Sequence, residues 1–209
     1  MKTTGTSVPD RVMKRARAMG RGGVFTPSDF LDLAARAAVD QALSRLVKSG
    51  KLRRLARGLY DFPKVHPKLG PLSPTPDDVA QALARETGSR VQISGARAAN
   101  ALGLTTQVPA RSTYLTDGPP RRVVLGKRVV DLRHASPKHL IAPGSAAGMV
   151  VQALRHVGPT GAADVAQMAA RRLSASDKKT LASTAVHAPA WMRSTLVSIA
   201  DAGIAGIDG

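Results

Sequence analysis

An α+β fold is predicted by three features of this sequence. The first fifty residues carry helical spacing interrupted by capping and glycine signals. Short β-like runs bounded by turn residues follow at 51–63 and again between 111 and 134. From Ser145 onward the apolar spacing returns to helix.

Taken in order, "PDRVMKRARAMG" reads as a first helix, with Val12, Ala16 and Met19 on one side and Gly20 ending it. "RGGVF" is a loop leading into a short strand. "TPSDFLDL" opens a second helix, with Thr26 as N-cap, Pro27 at the first helical position and Asp29 closing a capping box. The clearest element is "AARAAVDQALSRLVKSG". Val39, Ala42, Leu43, Leu46 and Val47 form an apolar stripe, Arg36, Asp40, Gln41, Ser44, Arg45 and Lys48 lie opposite, and Gly50 stops the helix. A helix, a short helix, a tight connection and a third helix with a basic outer face make a helix-turn-helix pattern.

The next stretch, "KLRRLARGLYDFP" (51–63), supports two readings. At helical spacing Leu52, Leu55 and Leu59 share a face and the segment is a basic amphipathic helix. Read instead as strand, Arg57-Gly58, strand, it is a hairpin with a charged tip. Gly50 before it, Gly58 within it and the small residues Ala56 and Gly58 favour the hairpin, with the leucines and Tyr60 packed inward. The expected architecture is therefore an N-terminal winged helix-turn-helix over 1–63. A proline-rich linker at 64–76 and a second domain at 77–209 follow, the latter α/β to about 143 and helical over about 144–203.

In that second part "TPDDVAQALARETG" is a helix capped by Thr75 or Asp77, "SRVQISG" a strand and "GARAANALGL" a short helix. "STYLTDG", "RRVVLG" and "KRVVDLRH" are strands, the last two joined at Gly126-Lys127. Helices are expected at 145–157, 161–172, 175–186 and 190–201, with a frayed end beyond.

Composition narrows the partner. The 209 residues hold 31 Lys and Arg against 14 Asp and Glu, a net charge of +17, and the pI is about 11.4. Residues 1–70 contain 15 of the cations and only 5 acids, all Asp, so a third of the chain carries more than half of the excess. A polyanion is indicated. With aromatics at only 3%, stacking platforms for single strands are poorly supported, and double-stranded DNA fits better. Cysteine is absent, which excludes disulfides, Cys-bound zinc and thiol nucleophiles. The N-terminus lacks an apolar core and no run of 18 apolar residues occurs, so the expectation is a soluble, cytoplasmic, bacterial-type protein.

On the third helix Gln41, Ser44, Arg45 and Arg36 are side chains able to read base edges. Lys48, with Lys51, Arg53, Arg54 and Arg57 of the hairpin, suits phosphates. Catalytic and metal readings find little. His134 and His139 lie five apart, Glu86 is the only glutamate, and "DLRHASP" (Asp131, Arg133, His134, Ser136) is explained as well by a strand end and turn. "GRGG" at 20–23 does not open a helix after a strand and reads as a turn. No catalytic residue, metal or cofactor is expected.

"FTPSDFLDL…AAVDQALSRLVKSGKLRRLARGLYDFP", "ISGARAANALGL" and "YLTDGPPRRVVLGKRVVDLRHASP" together resemble the AbiEi-type antitoxins of type IV toxin–antitoxin systems. More narrowly, they resemble a bacterial branch known mainly as a domain of unknown function. The resemblance spans roughly residues 10–157, and the terminal helices match more loosely. It implies a winged helix joined to an antitoxin domain. By position, the recognition helix would be residues 36–49 and the wing 51–60. Such a protein represses its own operon through inverted repeats and counteracts a nucleotidyltransferase-like toxin, so it is expected not to be an enzyme. A plain winged-helix regulator without a toxin partner, and an atypical kinase that modifies the toxin, are the alternatives.

Overall fold

The computed structural model describes residues 7–106 and 111–202. It is α+β, and its described residues form two compact units: 7–88 with Val123–Val130, and 89–122 with 131–202.

The first unit begins with helix α1 (Val8–Ala18), capped by Ser7, whose hydroxyl oxygen accepts from the Asp10 N–H. Strand β1 (Val24–Phe25) follows the glycine turn at 20–23. That turn returns to the wing strand through hydrogen bonds from Gly22 N–H to the Phe62 carbonyl and from Phe62 N–H to the Gly23 carbonyl. The capping box expected at Thr26 and Asp29 is present, with the Thr26 N–H donating to Asp29 Oδ2 at 2.8 Å.

The helix expected there is only a single 3-10 turn, Pro27–Phe30. Arg15 Nη1 donates to the Asp29 carbonyl at 2.7 Å, and the Leu33 N–H bonds the Phe30 carbonyl instead. With the Asp29 carbonyl engaged from outside, the segment keeps i→i+3 bonding. The buried rings of Phe25 and Phe30 meet edge to face, with centroids 5.2 Å apart.

Helix α2 (Arg36–Lys48) buries Val39, Ala42, Leu43 and Leu46, as its stripe predicts. Together with Val12, Met13, Ala16, Phe25, Phe30 and Leu52 they form one apolar core. Gly50 terminates the helix at φ +69°, a left-handed conformation that side chains other than glycine and asparagine rarely adopt. The stretch 51–63 is a hairpin: β2 (Arg53–Ala56) and β3 (Leu59–Asp61) are antiparallel around Arg57-Gly58, and β3 is the centre of the sheet β1-β3-β2. This strand pairing rules out the amphipathic-helix reading, and Leu52 and Leu59 are buried.

The expected linker at 64–76 contains a further antiparallel hairpin, β4 (Val65–His66) and β5 (Gly70–Pro71). The expected boundary at 63 also moves, because the compact unit continues through helix α3 (Pro76–Thr87). Arg85 of α3 donates to the Val24 carbonyl at 2.8 Å and pairs with Asp29 at 3.3 Å, tying α3 to β1 and the 3-10 turn. Thr75, rather than Asp77, caps α3 in a capping box with Asp78.

Strands β6 (Val91–Ile93), β7 (Arg111–Thr116), β8 (Arg121–Leu125) and β9 (Arg128–His134) form a sheet in the order β6-β7-β9-β8, of which β6, β7, residues 121–122 and residues 131–134 belong to the second unit. The helices of that unit are α4 (Gly95–Ala101), α5 (Ala146–Val157), α6 (Ala162–Arg172), α7 (Ala175–Thr184) and α8 (Ala190–Asp201). Val150, Val151, Leu154, Leu181, Met192, Leu196 and Ile199 are central to its core. The frayed end expected after 201 falls largely on residues 203–209, outside the described ones.

Two amide side chains are buried with partners among the described residues of this unit. Gln92 Oε1 accepts from the Gly144 N–H at 2.9 Å, and Gln152 Nε2 donates to the His139 carbonyl at 2.6 Å. The space around them is full. A Cβ on Gly148 would stand 2.2 Å from the Ala142 carbonyl oxygen and 2.7 Å from Gln92 Oε1, and one on Gly95 would stand 2.7 Å from His156 Cβ. Gly→Ala in a helix normally gains stability from propensity, but overpacking against backbone outweighs it. Gly148→Ala is expected to lose roughly 1–3 kcal/mol in urea unfolding.

His139 supplies a pH dependence. Burial, aided by the charges of Arg155 and Lys138, disfavours its imidazolium and lowers its pKa from the ordinary 6.5. The unfolded chain then binds the proton more readily than the fold does. The contribution is complete above about pH 6.5 and is lost as pH falls below it. Thermal unfolding followed from about pH 7.5 to about 5.5 should show a falling Tm, and His139→Gln should shrink that fall.

Candidate nucleic-acid interface

Helix α2 keeps its outward face clear of the core. Arg36, Gln41, Ser44, Arg45 and Lys48 are all exposed, interleaved along the helix with the buried stripe. Gln41, Ser44 and Arg45 share the outward face, while Arg36, at the start of the helix, lies beside the buried stripe and about 180° round the axis from Arg45. Arg36 is also engaged locally, its Nε pairing with Asp40 at 3.0 Å across one helical turn. Exposed pairs of this kind contribute only about 0.3–0.5 kcal/mol, so exchanging Asp40 for a base edge or phosphate costs little.

The hairpin β2–β3 divides its cations between two tasks. Lys51, Arg54 and Arg57 are exposed, on the approach, the strand and the turn of the wing. Among the described residues Arg54 Nε reaches only the nearby Ala56 carbonyl, at 3.4 Å. A register irregularity between Arg54 and Ala56 twists this strand next to the tip.

Arg53 departs from the phosphate role expected of it. Its Nε donates to Asp61 Oδ1 at 3.1 Å, its Nη2 to Asp61 Oδ2, and the same Nη2 to the Leu72 carbonyl at 2.7 Å. Asp61 is fully buried and lies opposite Arg53 in the β2–β3 register. A buried carboxylate needs a cation, and Arg53 is the one its register supplies. Arg53 is a structural residue, and the wing's outward charge rests on Lys51, Arg54 and Arg57.

The same economy holds for every acid of residues 7–70. Asp10 binds the Ser7 cap, Asp29 pairs with Arg85, Asp32 with Arg15, Asp40 with Arg36 and Asp61 with Arg53. The Arg15–Asp32 bond holds the Asp32 carboxyl below the usual carboxylate range. Arg45, Lys48, Lys51 and Arg54 make no ion pair with a carboxylate among the described residues. Positive charge without a carboxylate partner among the described residues thus lies at Arg45 and Lys48 of α2 and at Lys51 and Arg54 of the wing, an arrangement that suits phosphate contact beside a helix in a major groove.

The residues of "DLRHASP" do not converge. Arg133 pairs with Asp131 at 3.0 Å, the His134 ring meets the Gly118 carbonyl at 3.1 Å, and the Ser136 hydroxyl lies 3.0 Å from His139 Nδ1. No helix among the described residues is long and apolar enough to cross a membrane.

Comparison with protein-family models matches residues 11–181 to a family described as "Family of unknown function (DUF6088)". The chain belongs to that family. No curated protein and no solved structure matches it. The DUF6088 match takes in most of α1, the whole of α2 and the wing, and continues into α7.

The roles assigned to the DUF6088 arginines separate by measurement. Arg53→Ala should cost about 3 kcal/mol in chemical unfolding, the lower end of the penalty for breaking a buried pair, because its side chain retains 30% exposure. Replacing both partners with Arg53→Met and Asp61→Leu should recover most of that loss. Arg54→Ala should leave stability within about 0.5 kcal/mol.

Proposed function

We propose that this protein is a DNA-binding antitoxin and autorepressor. In this reading α2 enters the major groove of an operator with Arg36, Gln41, Ser44 and Arg45 toward the bases, while Lys48, Lys51, Arg54 and Arg57 hold the phosphates. The observation that carries the DNA-binding part is the segregation of charge. The acids of the helix-turn-helix are all engaged internally, while Arg45, Lys48, Lys51 and Arg54 have no carboxylate partner among the described residues.

The antitoxin part rests on the sequence resemblance to AbiEi-type proteins. The second unit would act on a nucleotidyltransferase-like toxin, and two copies would occupy the inverted repeats of the operator. Co-expression with a nucleotidyltransferase-like protein encoded beside it tests this part, the expected outcome being rescue of growth.

DNA binding is checked by fluorescence anisotropy on a duplex from upstream of the protein's own gene, with a scrambled duplex as competitor. Arg45→Ala should weaken binding by about 1–3 kcal/mol and relax selectivity at one base position. Arg54→Ala should weaken binding to both duplexes and reduce the salt slope by about 1. Equal affinity of both variants and the unmodified protein would remove α2 and the wing as the interface.

A further inference from the structure

The hairpin at 64–72 has features that a connection between domains does not need. Its two strands pair Val65 with Pro71 and His66 with Gly70, and the Leu72 N–H closes the base on the Lys64 carbonyl at 2.8 Å. At the tip, His66 Nδ1 accepts from the N–H groups of both Lys68 and Leu69, at 3.2 and 3.3 Å. Gly70 takes φ +69°, which lets the chain turn back.

The base is anchored to the wing. Arg53, already held by Asp61, bonds the Leu72 carbonyl, and Arg21 donates to the Pro63 carbonyl at 3.1 Å while its guanidinium stacks over Phe62. Only three residues separate the end of β3 from Val65. This is a braced projection, springing from the same sheet as the wing.

Its surface is cationic and apolar together. Lys64, His66 and Lys68 are exposed, no acid occurs between residues 62 and 76, Leu69 is 73% exposed and Val65 57%. Pro67 and Pro71 remove backbone donors, so the hairpin is a poor template for an added β-strand. Two-residue strands also offer far less area than the roughly 1,000 Å² a stable protein interface needs. An apolar tip flanked by lysines does match the minor groove. That groove is about 6 Å wide and walled by phosphates, and apolar wedges there part a base step and bend the duplex.

We propose that the hairpin 64–72 is a second DNA-contacting element. Its tip enters the minor groove flanking the α2 site, with Leu69 as the wedge and Lys64 and Lys68 on the phosphates. This inference rests on the reading of α2 and β2–β3 as a DNA interface. It predicts that the protein bends its target and that part of its affinity resides in a segment outside the helix-turn-helix.

The test uses the full chain and a duplex from upstream of its own gene, comparing Leu69→Ala and Lys68→Ala with Arg45→Ala. Readouts are affinity, bending by circularly permuted fragments, and competition by the minor-groove ligand distamycin. Leu69→Ala should abolish the bend, lose about tenfold in affinity and become insensitive to distamycin, while α2 still protects major-groove guanines. Lys68→Ala should lower the salt slope by about 1. If Leu69→Ala binds, bends and responds to distamycin like the unmodified protein while Arg45→Ala weakens binding, the hairpin inference is wrong and the α2 reading stands. Failure of the unmodified protein to bind the duplex would overturn both.

Discussion

The carboxylate of Asp61 constrains the whole first unit. It sits fully buried on the central strand of the wing sheet, opposite Val24 of β1 and Arg53 of β2. An ion in that position is tolerated only when a cation is fixed beside it and its lone pairs are filled. Arg53 does this with two nitrogens and spends a further bond on Leu72, so one side chain joins the wing to the hairpin that follows. The direction in which that second hairpin projects is set by a demand arising inside the sheet.

Arginine serves the fold elsewhere in the unit by the same logic. Arg15 holds Asp32 and the Asp29 carbonyl, and Arg85 holds Asp29 and the Val24 carbonyl. These bonds fix the 3-10 turn that orients α2 and draw α3 into the unit. Since few acids are present and such bonds engage them, Arg45, Lys48, Lys51 and Arg54 are left without a carboxylate partner among the described residues. Stability and a positive surface therefore come from one composition, and the net charge of +17 is organised rather than diffuse.

The second unit has ion pairs of its own, Arg90–Asp117 at 2.7 Å among them, and adds close approach between helices. Small residues in α4 and α5 allow the two helices to pack until Gly95 has no space for a methyl group against His156, and Gly148 has none against the Ala142 carbonyl. The sequence shows the alanines and glycines, but a glycine that prevents a clash looks the same in one dimension as a glycine that ends a helix. The buried amides of Gln92 and Gln152 were illegible for the same reason, because their partners, Gly144 and the His139 carbonyl, lie 52 and 13 residues away.

Periodicity and punctuation determined much on their own. The apolar stripe of α2, the glycines at 50 and 58, the capping boxes and the strand runs of the β8–β9 hairpin state local preferences that the fold obeys, so the basic face of α2 and the wing could be read directly. Tertiary structure alone decided that Arg53 turns inward, that 27–30 stays a 3-10 turn, that α3 joins the first unit and that 64–72 becomes a braced hairpin. Each of those outcomes depends on which distant carbonyl or carboxylate a guanidinium meets. Such meetings are fixed by strand register and packing, which no local pattern encodes.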